Sequence, residues 1–157
     1  MKCTTKHSCE DCLTKSISVF RHLPNDQINN LSQQKSCMLF KKGQYVFSEH
    51  SYPLGLYCIS SGKIKLSALG LDGKEQILRF AKNGNIVGYR ALLCNETYHC
   101  SAIAIEDTSI CFIPKDLFFQ LIVQNPALSL EIMQLLGNDL KDAEDHIVSL
   151  SQKNVRE

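Results

Sequence analysis

The sequence predicts a mainly β domain, an antiparallel jelly roll or double-stranded β-helix with flanking helices and a long C-terminal helix. Three observations predict it. Short apolar runs between residues 36 and 114 are broken by turn residues every ~8–12 positions. Asp72-Gly73 stands between an alternating segment and a second apolar run, a strong hairpin signal. From Pro126 onward Gly137 is almost the sole helix breaker, and apolar residues fall at heptad spacing.

The elements follow in order. Residues 1–35 form an N-terminal segment carrying Cys3, Cys9 and Cys12, then a helix that starts at Pro24-Asn25 with Ile28 and Leu31 on one face. Residues 36–125 form the β-roll unit. Tyr45-Val46-Phe47 follows the turn Lys42-Gly43, and the run Leu56 to Ile59 ends at Ser60-Ser61-Gly62. Lys63 to Leu69 alternates with period two, as a half-buried strand does, and Glu75 to Phe80 is its return. Ser101–Ile105 and Ser109–Ile113 are expected to pair with each other through Glu106-Asp107-Thr108. Pro114 suits a helix start, Lys115 to Gln124 is helical in pattern, and Asn125-Pro126 ends it.

Residues 126–157 form the last helix. Met133, Leu136, Leu140, Ala143, Ile147 and Leu150 are spaced 3, 4, 3, 4, 3, which is a coiled-coil seam. At about 1.5 Å per residue such a helix reaches about 45 Å, longer than the ~26 Å across a small globule. It must project, and the expected partner for its seam is a second copy of the chain.

Composition narrows the function. Seventeen lysines and arginines against sixteen aspartates and glutamates leave a net charge of +1, no whole-chain footprint for nucleic acid. No run approaches the ~18 apolar residues of a membrane span, and Met1 to Ser16 lacks the apolar core of a signal peptide. The expected location is the cytoplasm, without membrane partners. The eight cysteines are about 5% of the chain, below the ~8–10% of disulfide scaffolds, so reduced thiols are the default. Cys37, Cys58, Cys94 and Cys100 read as small buried hydrophobes. The five histidines are scattered with no His-x-His pair, and no nucleophile elbow or phosphate loop occurs. The chain is not expected to be an enzyme.

A resemblance now adds to this. Lys42-Gly43-Gln44, Ser61-Gly62-Lys63-Ile64-Lys65 and Asp72-Gly73-Lys74-Glu75-Gln76 are similar to the turns of the Crp/Fnr family of bacterial transcription regulators. So are Asn83-Gly84-Asn85-Ile86-Val87-Gly88, Ser101-Ala102, Glu106-Asp107, Cys111-Phe112-Ile113-Pro114, Asp139-Leu140-Lys141 and Leu150 to Asn154, in the family's order. The resemblance runs from about Cys9 to the end. It implies a cyclic-nucleotide-binding-like roll and a dimer helix, the effector-sensing and dimerisation half of a regulator. The family continues into a helix-turn-helix that these 157 residues do not include, so DNA contact is expected only through residues beyond Glu157. The runner-up is a stand-alone dimeric cyclic-nucleotide-binding module.

The resemblance also places two sites. In cyclic-nucleotide-binding relatives a Gly-Glu-Leu segment supplies a carboxylate to the ribose, and Arg-(Ser/Thr)-Ala supplies charge to the phosphate. Here those segments read Gly88-Tyr89-Arg90-Ala91 and Cys100-Ser101-Ala102. Two charged hydrogen bonds at about 1.5–3 kcal/mol each are missing, ~100-fold or more in affinity. Cyclic nucleotide is therefore disfavoured, while another small effector near Gly88, Tyr89, Arg90 and Ser101 stays open. Oxygen-sensing members of the family hold an iron–sulfur cluster with N-terminal cysteines and one distant cysteine. Cys9 and Cys12 resemble the first pair and Cys111 the distant ligand, but the remaining position, six after Cys12, is Ser18. Cys3 is an alternative fourth ligand. A Cys3, Cys9, Cys12 and Cys111 site would take iron–sulfur or zinc; the competing reading is plain thiols.

Overall fold

The computed structural model describes residue 9, residue 12 and residues 14–153, the last by its backbone alone. A 3₁₀ turn at Lys15–Ile17 leads to α1 (Asn25–Gln34). Eight strands follow, β1 (Ser36–Phe40), β2 (Tyr45–Phe47), β3 (Gly55–Ser61), β4 (Lys63–Leu69), β5 (Glu75–Lys82), β6 (Ile86–Val87), β7 (Ser101–Ala104) and β8 (Thr108–Pro114). The short helix α2 (Tyr89–Cys94) sits between β6 and β7, and α3 (Lys115–Gln124) and α4 (Pro126–Lys153) close the described chain. The strands make two antiparallel sheets, in the orders β1-β8-β3-β6 and β2-β7-β4-β5. This is the expected roll.

The β4–β5 hairpin forms as its sequence dictates. Gly73 adopts φ +76, which a residue without Cβ accepts at no steric cost, and Gly70 N–H donates to the Lys74 carbonyl at 2.8 Å. One expectation fails. β7 and β8 do not pair; β7 lies between β2 and β4, and β8 lies between β1 and β3 in the other sheet. Glu106-Asp107 is a crossover between sheets rather than a hairpin turn. It is pinned from outside by Lys41, whose Nζ lies 2.6 Å from Asp107 Oδ2.

Because strand side chains alternate, the first sheet has two working faces. Tyr57, Ile59 and Ile110 point into the roll, where Val46, Phe47, Ile64, Leu66, Val87, Ala102 and Ala104 meet them. Leu56, Cys58 and Ile113 point outward, and Ile28 and Leu31 of α1, Leu117, Phe118 and Leu121 of α3, and Leu128 and Ile132 of α4 cover them. The cysteines divide accordingly. Cys58 and Cys100 are buried as expected, but Cys37 and Cys94 are exposed, because one sits on an edge strand and the other at the open end of α2, and Cys37 is disulfide-bonded rather than the reduced thiol expected.

The 28 residues of α4 span ~42 Å. Leu128 and Ile132 anchor its start against the roll, with Leu135 and Leu136 partly covered. Every residue from 140 to 152 is exposed. No helix among the described residues is long and apolar enough to cross a membrane.

Candidate functional site: a filled roll and a thiol pocket

The residues of the first candidate site are drawn to three different places. Gly88 caps α2 in the left-handed region at φ +87. Ala91, Cys100 and Ala102 face the roll interior, and Ser101 is half-buried and accepts from Glu49 N–H at 2.9 Å. Tyr89 turns the other way, into the layer of helices. Its hydroxyl donates to the Asp139 carboxylate of α4 and lies 3.1 Å from Arg79 Nη2. Arg79 Nη1 in turn reaches Asp139 at 3.0 Å. Burial raises the Tyr89 pKa, so the phenol stays a donor. The Arg90 guanidinium is exposed and occupied, with His99 Nδ1 at 2.8 Å and Glu96 at 3.5 Å.

The space between the sheets is filled by aromatic rings. Tyr98 stacks on Phe47 with centroids 3.9 Å apart, and a Cβ on Gly88 would lie only 3.3 Å from the Tyr98 ring. Cys100 stands where the resemblance puts the phosphate-binding arginine, and the Tyr98 ring lies against Gly88. The Tyr98 hydroxyl is buried without a hydrogen-bond partner among the described residues. An orphaned buried hydroxyl costs about 1–3 kcal/mol. Tyr98→Phe is expected to raise stability by about 1 kcal/mol, read as a higher melting temperature; a lower one would show that the hydroxyl is satisfied. The open cleft outside Tyr98, ≈ 470 Å³, is lined by Glu49, His50, Glu96 and His99 among others, two carboxylates that suit no anion.

The second candidate site does assemble, with a different membership. A cavity of ≈ 40 Å³ under the N-terminal segment is lined by Cys9, Cys12, Cys58 and Cys111, with Ser18 and Lys35. That is room for about three waters. Cys111 and Cys58 are direct cross-strand partners on β8 and β3, so their side chains share one face. Cys9 is tied to α1 by its N–H, which donates to Ser32 Oγ at 2.6 Å, and Cys12 Sγ lies 3.1 Å from Thr14 Oγ1. Lys35 lines the same cavity, its charge beside the sulfurs of Cys9 and Cys111. Burial alone would lower its pKa, but the negative potential of Cys111, Cys9 and Cys12 outweighs this and raises it. Burial pushes the Cys58 thiol up to about 12, while a hydrogen bond from Ser18 works the other way. Cys3 lies outside the described residues.

Thiolates are soft donors that suit zinc and iron–sulfur groups, and the donor set here fits such a group in type and number. Among the described residues no three such side chains are yet gathered closely enough to hold a metal ion. Holding one centre would require these sulfurs to come closer together than they are here. Sequence reading missed Cys58 and Lys35. Cys58 sits in an apolar run with no motif of its own, and its only signal is the β3–β8 register.

The comparisons with known proteins agree with this architecture. Residues 38–125 match the cyclic nucleotide-binding domain family. The chain is 33% identical over 152 residues to the fumarate and nitrate reduction regulatory protein of Yersinia pestis, covering 95% of this chain and 60% of that protein. It is 32% identical over 157 residues to the anaerobic regulatory protein of Pasteurella multocida, covering 95% of this chain and 55% of that one. The chain thus spans a little over half the length of these curated relatives, which are regulators rather than enzymes. Among solved structures, the Thermus thermophilus catabolite activator protein aligns with a TM-score of 0.74 at 26% identity, over 85% of this chain and 62% of that one. The sensor domain of the Pseudomonas aeruginosa transcriptional regulator DNR shares the fold, with a TM-score of 0.71 at 22% identity over 81% and 85% of the two chains. A roll of two four-stranded sheets, a long exit helix and these matches together establish that the chain belongs to the cyclic nucleotide-binding domain family.

Proposed function

We propose that this chain is the effector-sensing and dimerisation part of a Crp/Fnr-like transcription regulator, with DNA contact made by residues beyond those present here. The observation that carries the reading is α4, anchored on the roll at Leu128 and Ile132 and bare beyond it, with Met133, Leu140, Ile147 and Leu150 more than half exposed. An apolar seam of this period is stable in water only against another helix, and a second copy supplies an identical one. Light scattering should give twice the 17.7 kDa chain mass; a monomer at micromolar concentration would refute the dimer.

Cyclic AMP is not its signal in this reading. The roll interior is packed with Tyr98 and Phe47, and Arg90 is engaged by His99 and Glu96. Titration calorimetry with cyclic AMP and cyclic GMP should show no binding at micromolar concentration. Micromolar affinity for either would restore the stand-alone nucleotide-binding reading. One observation favours a different input: the four thiols and the lysine lining one cavity on the outer face of the first sheet. In this reading they form a metal- or cluster-based redox sensor. The bound group would supply the sensitivity to oxidant, while Lys35 balances thiolate charge and α1 holds Cys9 through Ser32.

A further inference from the structure

We propose that Cys58 is a metal ligand of this chain, the fourth thiolate of a centre completed by Cys9, Cys12 and Cys111. The inference rests on the thiol-sensor reading above and goes beyond it, because it changes the ligand set. The Crp/Fnr resemblance puts a ligand at position 18, where this chain has serine, and it gives Cys58 no role.

The geometry explains how a thiol can be lost at one position and gained at the other. Ser18 and Cys58 line the same cavity. The two positions are therefore neighbours in space although forty residues apart in sequence. Ser18 is itself buried, and its Oγ accepts the Phe20 N–H at 3.2 Å, so it is a fixed part of the wall. Cys58 is flanked across the sheet by Cys111 on one side and Ile86 on the other. Two thiols on adjacent antiparallel strands, directly opposite, sit ~4.5–5.5 Å apart at their Cβ atoms, close enough to share one centre. Cys9 and Cys12 line the same cavity as these two.

The charge balance supports the set. Four thiolates on a divalent ion leave a net charge of −2 in a low-dielectric wall, which is costly without a counter-charge. Lys35, which lines the same cavity, supplies one. Each thiol that ligates releases its proton to solvent, so no oxidant or reductant is needed for assembly.

The test uses cobalt(II) as the probe, titrated without oxygen into the reduced wild-type chain and the C9A, C58A and S18C/C58A variants. Circular dichroism first checks that each variant is folded. Intense thiolate-to-cobalt absorption is expected in the wild type. C58A should bind ~100-fold or more weakly, as C9A does, and S18C/C58A should recover to within ~10-fold of wild type. Metal and acid-labile sulfide analysis of protein isolated without oxygen then separates zinc from an iron–sulfur cluster. If C58A binds like wild type while C9A does not, Cys58 is a packing residue and the proposal fails, with the thiol sensor intact. Loss in C58A that a folded S18C/C58A does not restore also overturns it. A wild-type chain that takes up neither cobalt nor iron and sulfide removes the thiol sensor and this ligand set together.

Discussion

Replacing Leu140 and Ile147 together with glutamate should convert the proposed dimer into monomers. Both side chains are spent on nothing within their own chain, at 61% and 65% exposure. Burying each against a partner helix is worth about 1.5–3 kcal/mol, and a symmetric seam counts each position twice, so about 6–12 kcal/mol of association is removed. At 1.4 kcal/mol per tenfold, this lowers dimer affinity by at least ~10⁴-fold, before the repulsion of four buried carboxylates is added. The fold of each chain should be untouched, since Leu128 and Ile132 still anchor the helix. Light scattering reads the mass, and circular dichroism checks the helix. A double variant that stays dimeric would place the interface elsewhere.

Gly55→Ala should be strongly damaging to the roll. A Cβ there would lie 2.3 Å from the Ile113 carbonyl oxygen and 2.5 Å from the Phe112 ring. The ring can turn, but the carbonyl belongs to the strand that Gly55 pairs with, opposite Pro114. Relief requires β3 and β8 to part at this end, at a cost of about 3 kcal/mol, a fall of ~6–12 °C in melting temperature for a chain of this size. A loss below ~1 kcal/mol would mean the strand end yields freely. The same pairing carries Cys58 opposite Cys111 three residues along, so a wild-type metal response in a strongly destabilised variant is not expected.

Much of this was legible in the residues. Asp72-Gly73 placed the hairpin, Pro114 and Asn125-Pro126 bounded α3, and the heptad spacing marked α4, because each is a local signal read within a few residues. The pairing of β7 with β8 was misread for the same reason. Nearness in sequence suggested a hairpin, whereas Glu106-Asp107 carries the chain across the roll. Strands β1 and β6 carried weak signals, one an unpunctuated run and the other two residues long. The thiol pocket was half legible. Cys9, Cys12 and Cys111 stood out through a motif and a resemblance, but Cys58 required the register of strands some fifty residues apart. Tyr89 illustrates the opposite limit. Its position in the ligand segment suggested a pocket residue, yet its ring lies among the helices and meets Asp139.

The alternation of β3 and β8 has a mechanical consequence. Cys58 and Cys111 lie on one side of a wall one residue thick, while Tyr57, Ile59 and Ile110 lie on the other, against the ring stack that includes Phe47. The two sets of side chains hang from one backbone, so a displacement of either set must be taken up by the strands they share. The wall also touches the lever. α3 follows β8 directly, and α4 follows α3 after Asn125. A change at the sulfurs therefore has a short route through α3 to the helix proposed to meet a second copy, much as a drumhead struck from outside moves the rim to which it is fastened.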